Sequence, residues 1–208
     1  MNKRYNIIYA DCPWTFKTYS DKGKGRSPEK HYPCLTLEQI KQLPVHSISA
    51  DDCALFLWAT GPHLEHAFEV INEWGFIYKS LAFVWCKLNK KGYGTFMGTG
   101  YWTRANAEIC LLATKGNPKR ISASVHQIVN TPVQEHSKKP ECVRDRIVKL
   151  MGDLPRIELF ARQRVDGWDC WGNEVESDVD LSMPSHDPET VQKISENEAQ
   201  EGLNQLFG

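Results

Sequence analysis

Two kinds of apolar patterning alternate along this chain. Short runs rich in β-branched and aromatic residues, Tyr5–Ala10, Cys53–Ala59, Phe76–Trp85, Glu108–Thr114 and Arg156–Phe160, have the length and composition of strands. Segments of helical period lie between them. Thr36 and Gln39 make the capping box of a short helix that runs through Leu43 and stops at Pro44. Pro62 opens a second helix, with Leu64, Phe68, Ile71 and Trp74 on one stripe and Gly75 past its end. Pro140 opens a third, with Val143, Ile147, Leu150 and Met151 on one side and Gly152 as its cap. Cys53–Ala59 is apolar on both faces, the pattern of a central parallel strand. This alternation predicts an α/β fold: a mostly parallel twisted sheet, helices on both faces, right-handed crossovers.

Two long polar stretches interrupt the pattern. Residues 17–33 are rich in Gly, Ser and Lys and read as a lid over a site. Residues 87–106 combine four glycines, four aromatics and four basic residues, including Lys90, Lys91, Tyr101, Trp102 and Arg104. That mixture is either a flexible surface excursion or a recognition loop, since bases stack on aromatic rings and phosphates pair with Lys or Arg. Past Asn173 apolar residues thin out, so residues 1–175 form the folded domain and 176–208 an acidic tail, disordered or loosely docked, with LNQLF as a short docking segment.

Composition narrows the function classes. The net charge of −1 divides into +6 over residues 1–175 and −7 over 176–208, so the body is mildly basic, which allows a nucleic-acid partner. The longest unbroken apolar run, Cys53–Ala59, is too short for a membrane span, and the polar start MNKRYN is not a signal peptide. The seven cysteines include no CxxC pair and fall mostly in apolar segments, as reduced thiols of an intracellular, cytoplasmic protein do. No His/Cys cluster has metal spacing, and His63 with His66 on one helix face reads as solvated rather than liganding. No dinucleotide glycine fingerprint, Walker pattern or GxSxG elbow is present, which argues against NAD, FAD, ATP and serine-hydrolase chemistry.

The chemistry concentrates at the end of the first strand, where IIYADCPWTF passes from apolar residues to an acid, a proline and an aromatic ring. Open α/β sheets bind ligands at the carboxyl ends of their strands. A purine's exocyclic amine is a weak nucleophile because its lone pair is delocalised into the ring. Asp11 and the carbonyl of residue 12, accepting its two N–H bonds, would push the nitrogen towards tetrahedral geometry. Pro13 stiffens the turn, and the ring of Trp14 would hold the base in line. The same residues could equally be a turn acid and a core Trp.

The blocks YADCPWTF, CALFLWATG, FVWCKLN, EICLLATKGNP, EHSKKP, RIELFAR and WGNE, in that order, closely resemble one family. It is the S-adenosylmethionine-dependent adenine N6-methyltransferases named after the seventy-kilodalton subunit of the mRNA N6-adenosine methyltransferase. The resemblance covers residues 4–175. It implies a Rossmann-like methyltransferase fold and methyl transfer to N6 of adenine, with small bacterial and phage relatives favouring DNA and RNA as the alternative. Asp11, Cys12, Pro13 and Trp14 would be the catalytic motif. Tyr32 matches a mobile aromatic, and Trp85 and Lys87 match the target pocket. Lys139 would take the cofactor's methionine carboxylate, Glu158 and Arg162 form a pair at its ribose, and Asn173 meets the adenosyl part.

Three departures from the family pattern stand out. Cys12 replaces a proline, and Arg164-Val165 stands where larger relatives have His-Asn. The chain also starts only a few residues before its first strand, so Asn173 and Glu174 are expected to build the adenine pocket that an upstream segment helps to form elsewhere. As partners the resemblance brings nucleic acid and a homodimer or a pairing with a homologue. A catalytically silent nucleic-acid-binding scaffold of the same fold is the rival reading.

Overall fold

The structure, a computed structural model, describes residues 3–14, 35–98, 102–134 and 138–181. The proposed lid at 17–33 and the tail from residue 182 onward lie outside the described residues. Seven strands form one sheet: β1 (Tyr5–Ala10), β2 (Ser49–Ala59), β3 (Ile77–Leu88), β4 (Ala107–Lys115), β5 (Ile128–Pro132), β6 (Arg156–Leu159) and β7 (Asp169–Trp171), in the order β5-β3-β4-β2-β1-β6-β7. The helices are α1 (Leu37–Lys41), α2 (Val45–Ile48), α3 (Leu64–Glu73) and α4 (Cys142–Met151). This is the mostly parallel α/β, Rossmann-like architecture that the alternation predicts.

One strand runs against the others. β4 pairs antiparallel with β2 on one side and β3 on the other, while β1–β2, β1–β6, β6–β7 and β3–β5 are parallel. Among the described residues no helix separates β3 from β4, and because the two strands are antiparallel neighbours their connection, residues 89–106, leaves and returns at the same end of the sheet.

The strand period sorts the core into two layers. Tyr5, Ile8, Ala10, Cys53, Leu55 and Leu57 pack with α1, α2 and α3, through residues such as Ile40, Val45, Ala67 and Ile71. Ile7, Tyr9, Ala54, Phe56 and Trp58 pack on the other face with Val143, Ile147 and Met151 of α4. Each fully buried Leu, Ile or Phe in these layers contributes roughly 1.5–3 kcal/mol. The helix ends follow their residues. Thr36 and Gln39 close the expected capping box on α1. Gly75, at φ +80°, lets the Phe76 N–H turn back to the Ile71 carbonyl at 2.9 Å and end α3.

Several features depart from the sequence pattern. β2 starts four residues before Cys53, at Ser49, which pairs with Tyr5 of β1 ahead of an irregularity in the register. The polar stretch after Gly116 contains β5, in which only Val129 is buried, so a single-sided edge strand leaves no periodic signal. β7 is three residues long. His63 is not on a solvated helix face: it lies in the 3-10 turn Gly61–His63 and is buried. Residues 176–181 are tied down. Asp178 accepts the Cys170 N–H at 2.8 Å, and Leu181 is fully buried in the α1–α3 layer. Among the described residues no helix is long and apolar enough to cross a membrane.

Candidate functional site

The carboxyl ends of β1, β2, β3 and β6 and the start of β4 meet along one edge of the sheet, as the pairs Ala10–Leu57, Ala10–Leu159, Ala59–Ile109 and Cys86–Ala107 require. Asp11 follows β1 directly, and the turn after it closes with the Trp14 N–H donating to the Cys12 carbonyl at 2.9 Å. The Pro13 carbonyl accepts from Leu35 N at 3.0 Å, which fastens the turn to the lead-in of α1. The second lone pair of the Cys12 carbonyl is available to another donor.

Four charges converge beside this turn. Lys139, which precedes α4, donates to Asp11 at 2.7 Å and lies 3.2 Å from Glu108. Lys87, near the end of β3, donates to the other oxygen of Glu108 at 2.5 Å. The side chains of Lys139 and Glu108 are 10% and 14% exposed and that of Asp11 31% exposed, so the cluster is sheltered but open at Asp11. Burial pushes the Asp11 carboxyl above its usual range, against the pull of Lys139. Burial would also raise Glu108, but Lys139 and Lys87 outweigh it and hold that carboxyl below its usual range. Burial works against charge on Lys139 as well, yet Asp11 and Glu108 more than compensate, and the ammonium is held above the ordinary lysine value.

Aromatic residues frame the cluster. The ring of Trp14 is only 5% exposed and is stacked on His63, with centroids 5.7 Å apart and planes 10° from parallel. Thr60 and His63 Nδ1 are 2.9 Å apart, which fixes the imidazole. Lys87 lies over the Trp85 ring at 4.9 Å and Lys139 over Trp58 at 5.7 Å. Trp85 itself is buried and donates to the Thr131 carbonyl, so it supports Lys87 from below. Among the described residues Trp14 Nε1 is buried without a hydrogen-bond partner. An orphan donor of this kind costs about 1–3 kcal/mol until something accepts from it.

On the β6 side Glu158 and Arg162, the two residues matched to the ribose site, have separate partners. Glu158 accepts two hydrogen bonds from Arg144 of α4, at 2.6 and 2.8 Å, and Arg162 pairs with Glu174 at 3.0 Å. The reason is geometric. Phe160 takes a left-handed φ of +60°, which turns the chain after Leu159 and carries Arg162 outward to an exposed position, while α4 packs directly above Glu158. Asn173 is exposed. Arg164 pairs with Asp178 and Val165 packs in the α4 layer, so these residues have structural partners. Tyr32 and Tyr101 lie outside the described residues, and Lys90, Lys91, Trp102 and Arg104 are exposed on the β3–β4 connection.

A family model described as MT-A70 matches residues 5–174. The chain belongs to the MT-A70 family. Among relatives, the type II methyltransferase M.MunI of Mycoplasma sp is 36% identical over 200 residues, which is 88% of this chain and 82% of that protein. The N(6)-adenosine-methyltransferase catalytic subunit METTL3 of Homo sapiens is 28% identical over 177 residues, 83% of this chain and 28% of its own length. An N(6)-adenosine-methyltransferase MT-A70-like protein of Arabidopsis thaliana is 29% identical over 175 residues, 82% of this chain and 24% of its own. This MT-A70 chain therefore spans about a quarter of each of these plant and human relatives and most of M.MunI.

Sequence reading missed three members of the MT-A70 site region. Glu108 opens an otherwise apolar strand, and an acid at that place was a usable signal. Arg144 flanks the Val143–Ile147 stripe of α4 and looks like a surface residue until α4 is placed over β6. His63 becomes a partner of Trp14 only through the crossing of β2 and the β1 turn, which no local pattern encodes.

Proposed function

We propose that this chain transfers a methyl group from S-adenosylmethionine to N6 of adenine in nucleic acid, with DNA as the favoured substrate. The observation that carries the reading is Asp11, at a strand end beside a rigid Cys12-Pro13-Trp14 turn, with an oriented Lys139 at 2.7 Å. Family membership supports it, and the higher identity to a bacterial type II methyltransferase than to the N(6)-adenosine-methyltransferases supports DNA.

The donor set fits the cofactor. Lys139 is a fixed cation for a carboxylate. Each Glu158 oxygen accepts one hydrogen bond from Arg144 and has capacity for a hydroxyl donor, and the exposed Arg162, Asn173 and Glu174 would meet the rest of the cofactor. The unpartnered Trp14 Nε1 is a donor that a ligand atom would satisfy. When bound, S-adenosylmethionine supplies a methyl group already activated on a sulfonium. The protein's part is orientation. Ionised Asp11 and the Cys12 carbonyl accept the two N–H bonds of the target amine and turn its lone pair out of conjugation. Trp14, backed by His63, is a wall that cannot swing away. Lys87 and Lys139 balance the charges of Asp11 and Glu108, with Glu108 holding both cations in place.

Tritiated methyl transfer to matched DNA and RNA pools, followed by nucleoside analysis, tests this reading. Label on N6 of deoxyadenosine, abolished by Asp11→Ala with the fold retained, is the expected result. Label on cytosine, or on neither pool, would remove the assignment.

A further inference from the structure

The described part of the β3–β4 connection is ordered in two tiers. Near the sheet, residues 88–96 form a hairpin: Phe96 N donates to the Lys87 carbonyl at 2.8 Å, Asn89 N to Gly94 O at 3.1 Å, and Leu88 bridges Thr95. Farther out, the two limbs touch. A Cβ on Gly98 would lie 2.0 Å from the Ala105 carbonyl oxygen, so only glycine permits the approach. Trp102 lies between these two pinched positions and is 99% exposed; Tyr93 at the first tip is 85% exposed and Met97 is 73% exposed. Lys90, Lys91 and Arg104 are exposed on the same connection. Both roots of the connection are the paired residues Lys87 and Glu108 of the charge cluster.

Tyr93, Met97 and Trp102 are large apolar side chains held in water on one loop whose limbs touch at Gly98 and Ala105, a surface suited to an apolar partner. Their basic neighbours select a polyanion, and the roots fix where that polyanion lies, across the edge that holds Asp11. Adenine N6 in a duplex is reached only once the base leaves the stack, and the gap it leaves is a flat apolar slot. We infer that this loop is a strand-opening wedge for duplex DNA, with Trp102 filling the vacated stack, Tyr93 and Met97 bracing the flanking bases, and Lys90, Lys91 and Arg104 on the phosphates. The inference rests on the adenine reading above and deepens it by specifying a duplex substrate.

Two measurements test it. Methylation of single-stranded circular phage DNA is compared with that of the double-stranded form of the same sequence, for the wild type and W102A. Stacking of one base on an aromatic ring supports a loss of roughly ten-fold or more, and W102A should lose at least that factor more on the duplex than on the single strand. An equal loss on both forms, or none on the duplex, overturns the wedge. Permanganate mapping of unstacked thymines on the duplex needs no methyl transfer. The wild type should create reactive thymines opposite target adenines, and W102A should not while still retaining the DNA on a filter. Binding without any reactive thymine overturns the wedge even in an active enzyme. Reactive thymines without methylation of either form would instead remove the catalytic reading and leave the wedge standing.

Discussion

Arg144 grips both oxygens of Glu158, at 2.6 and 2.8 Å, in a pair whose side chains are nearly buried. The fork fixes the plane of the carboxylate, which a single ammonium does not. Burial pushes the Glu158 carboxyl up, and Arg144 is what opposes it. Arg144→Lys should therefore weaken S-adenosylmethionine binding about ten-fold by calorimetry while leaving kcat within about threefold. Arg144→Met strands a buried acid and should cost about 3 kcal/mol by urea unfolding. Full cofactor affinity in the lysine variant would mean that Glu158 needs no orientation.

The pH dependence follows from the cluster. In the proposed reaction Asp11 is an ionised acceptor, and burial raises its pKa above the usual 3.8, so the acid limb of kcat/KM should have a midpoint above that value. Lys139 is the main influence pulling Asp11 down, and Lys139→Met should move the midpoint further up, whatever it does to the plateau. Stability has the opposite sign at the two acids. Glu108, held low, stabilises the fold above the ordinary carboxylate pKa, and this is lost as pH falls through its lowered value. Asp11, held high, favours the fold below its unfolded pKa and loses that contribution as pH rises through its folded one. Removing the depressed acid by Glu108→Gln should flatten the acid side of the stability curve.

Glu108 also carries a kinetic prediction. It accepts from Lys87 and lies 3.2 Å from Lys139, holding two cations on one carboxylate. Glu108→Gln leaves the two ammonium groups to repel each other, and kcat should fall about a hundredfold with the melting temperature lowered by only a few degrees. An unchanged kcat would show that neither lysine needs a fixed position.

Cys12 tests how much of the turn depends on its backbone alone. Its thiol is buried and pushed well above the usual range, first by burial and then by Asp11, so it is neither a nucleophile nor a ligand at neutral pH. Cys12→Pro should retain activity or raise it. A clear loss would give the thiol a part beyond its carbonyl.

Gly172 is the sharpest packing test. A Cβ there would lie 2.4 Å from the Ala161 carbonyl oxygen, at the place where Ala161 N donates to Trp171 O. Gly172→Ala forces the exits of β6 and β7 apart, so thermal stability and cofactor affinity should fall together.

Much of this arrangement was legible beforehand. β1, α1, α3, α4 and the strand runs of β2, β3, β4 and β6 have local signals: buried alternation, a capping box, a stripe, a terminal glycine. Asp11 and Trp14 stood out because an acid and a ring at a strand end are chemically conspicuous. The strands β5 and β7 did not, because a strand with one buried residue or a length of three carries no period. The Glu158–Arg144 and Trp14–His63 relationships depend on which helix crosses which strand, and only the assembled sheet supplies that. The left-handed Phe160 is equally silent, since nothing in the residue type announces it.

The reversed direction of β4 brings both ends of one excursion to the same edge. Because β3 ends and β4 begins on the edge that holds Asp11, the excursion between Lys87 and Glu108 is a cassette clamped at both ends by one ion pair. Its described residues take no part in either core layer. An exchange of this excursion at Lys87 and Glu108 therefore leaves both core layers untouched.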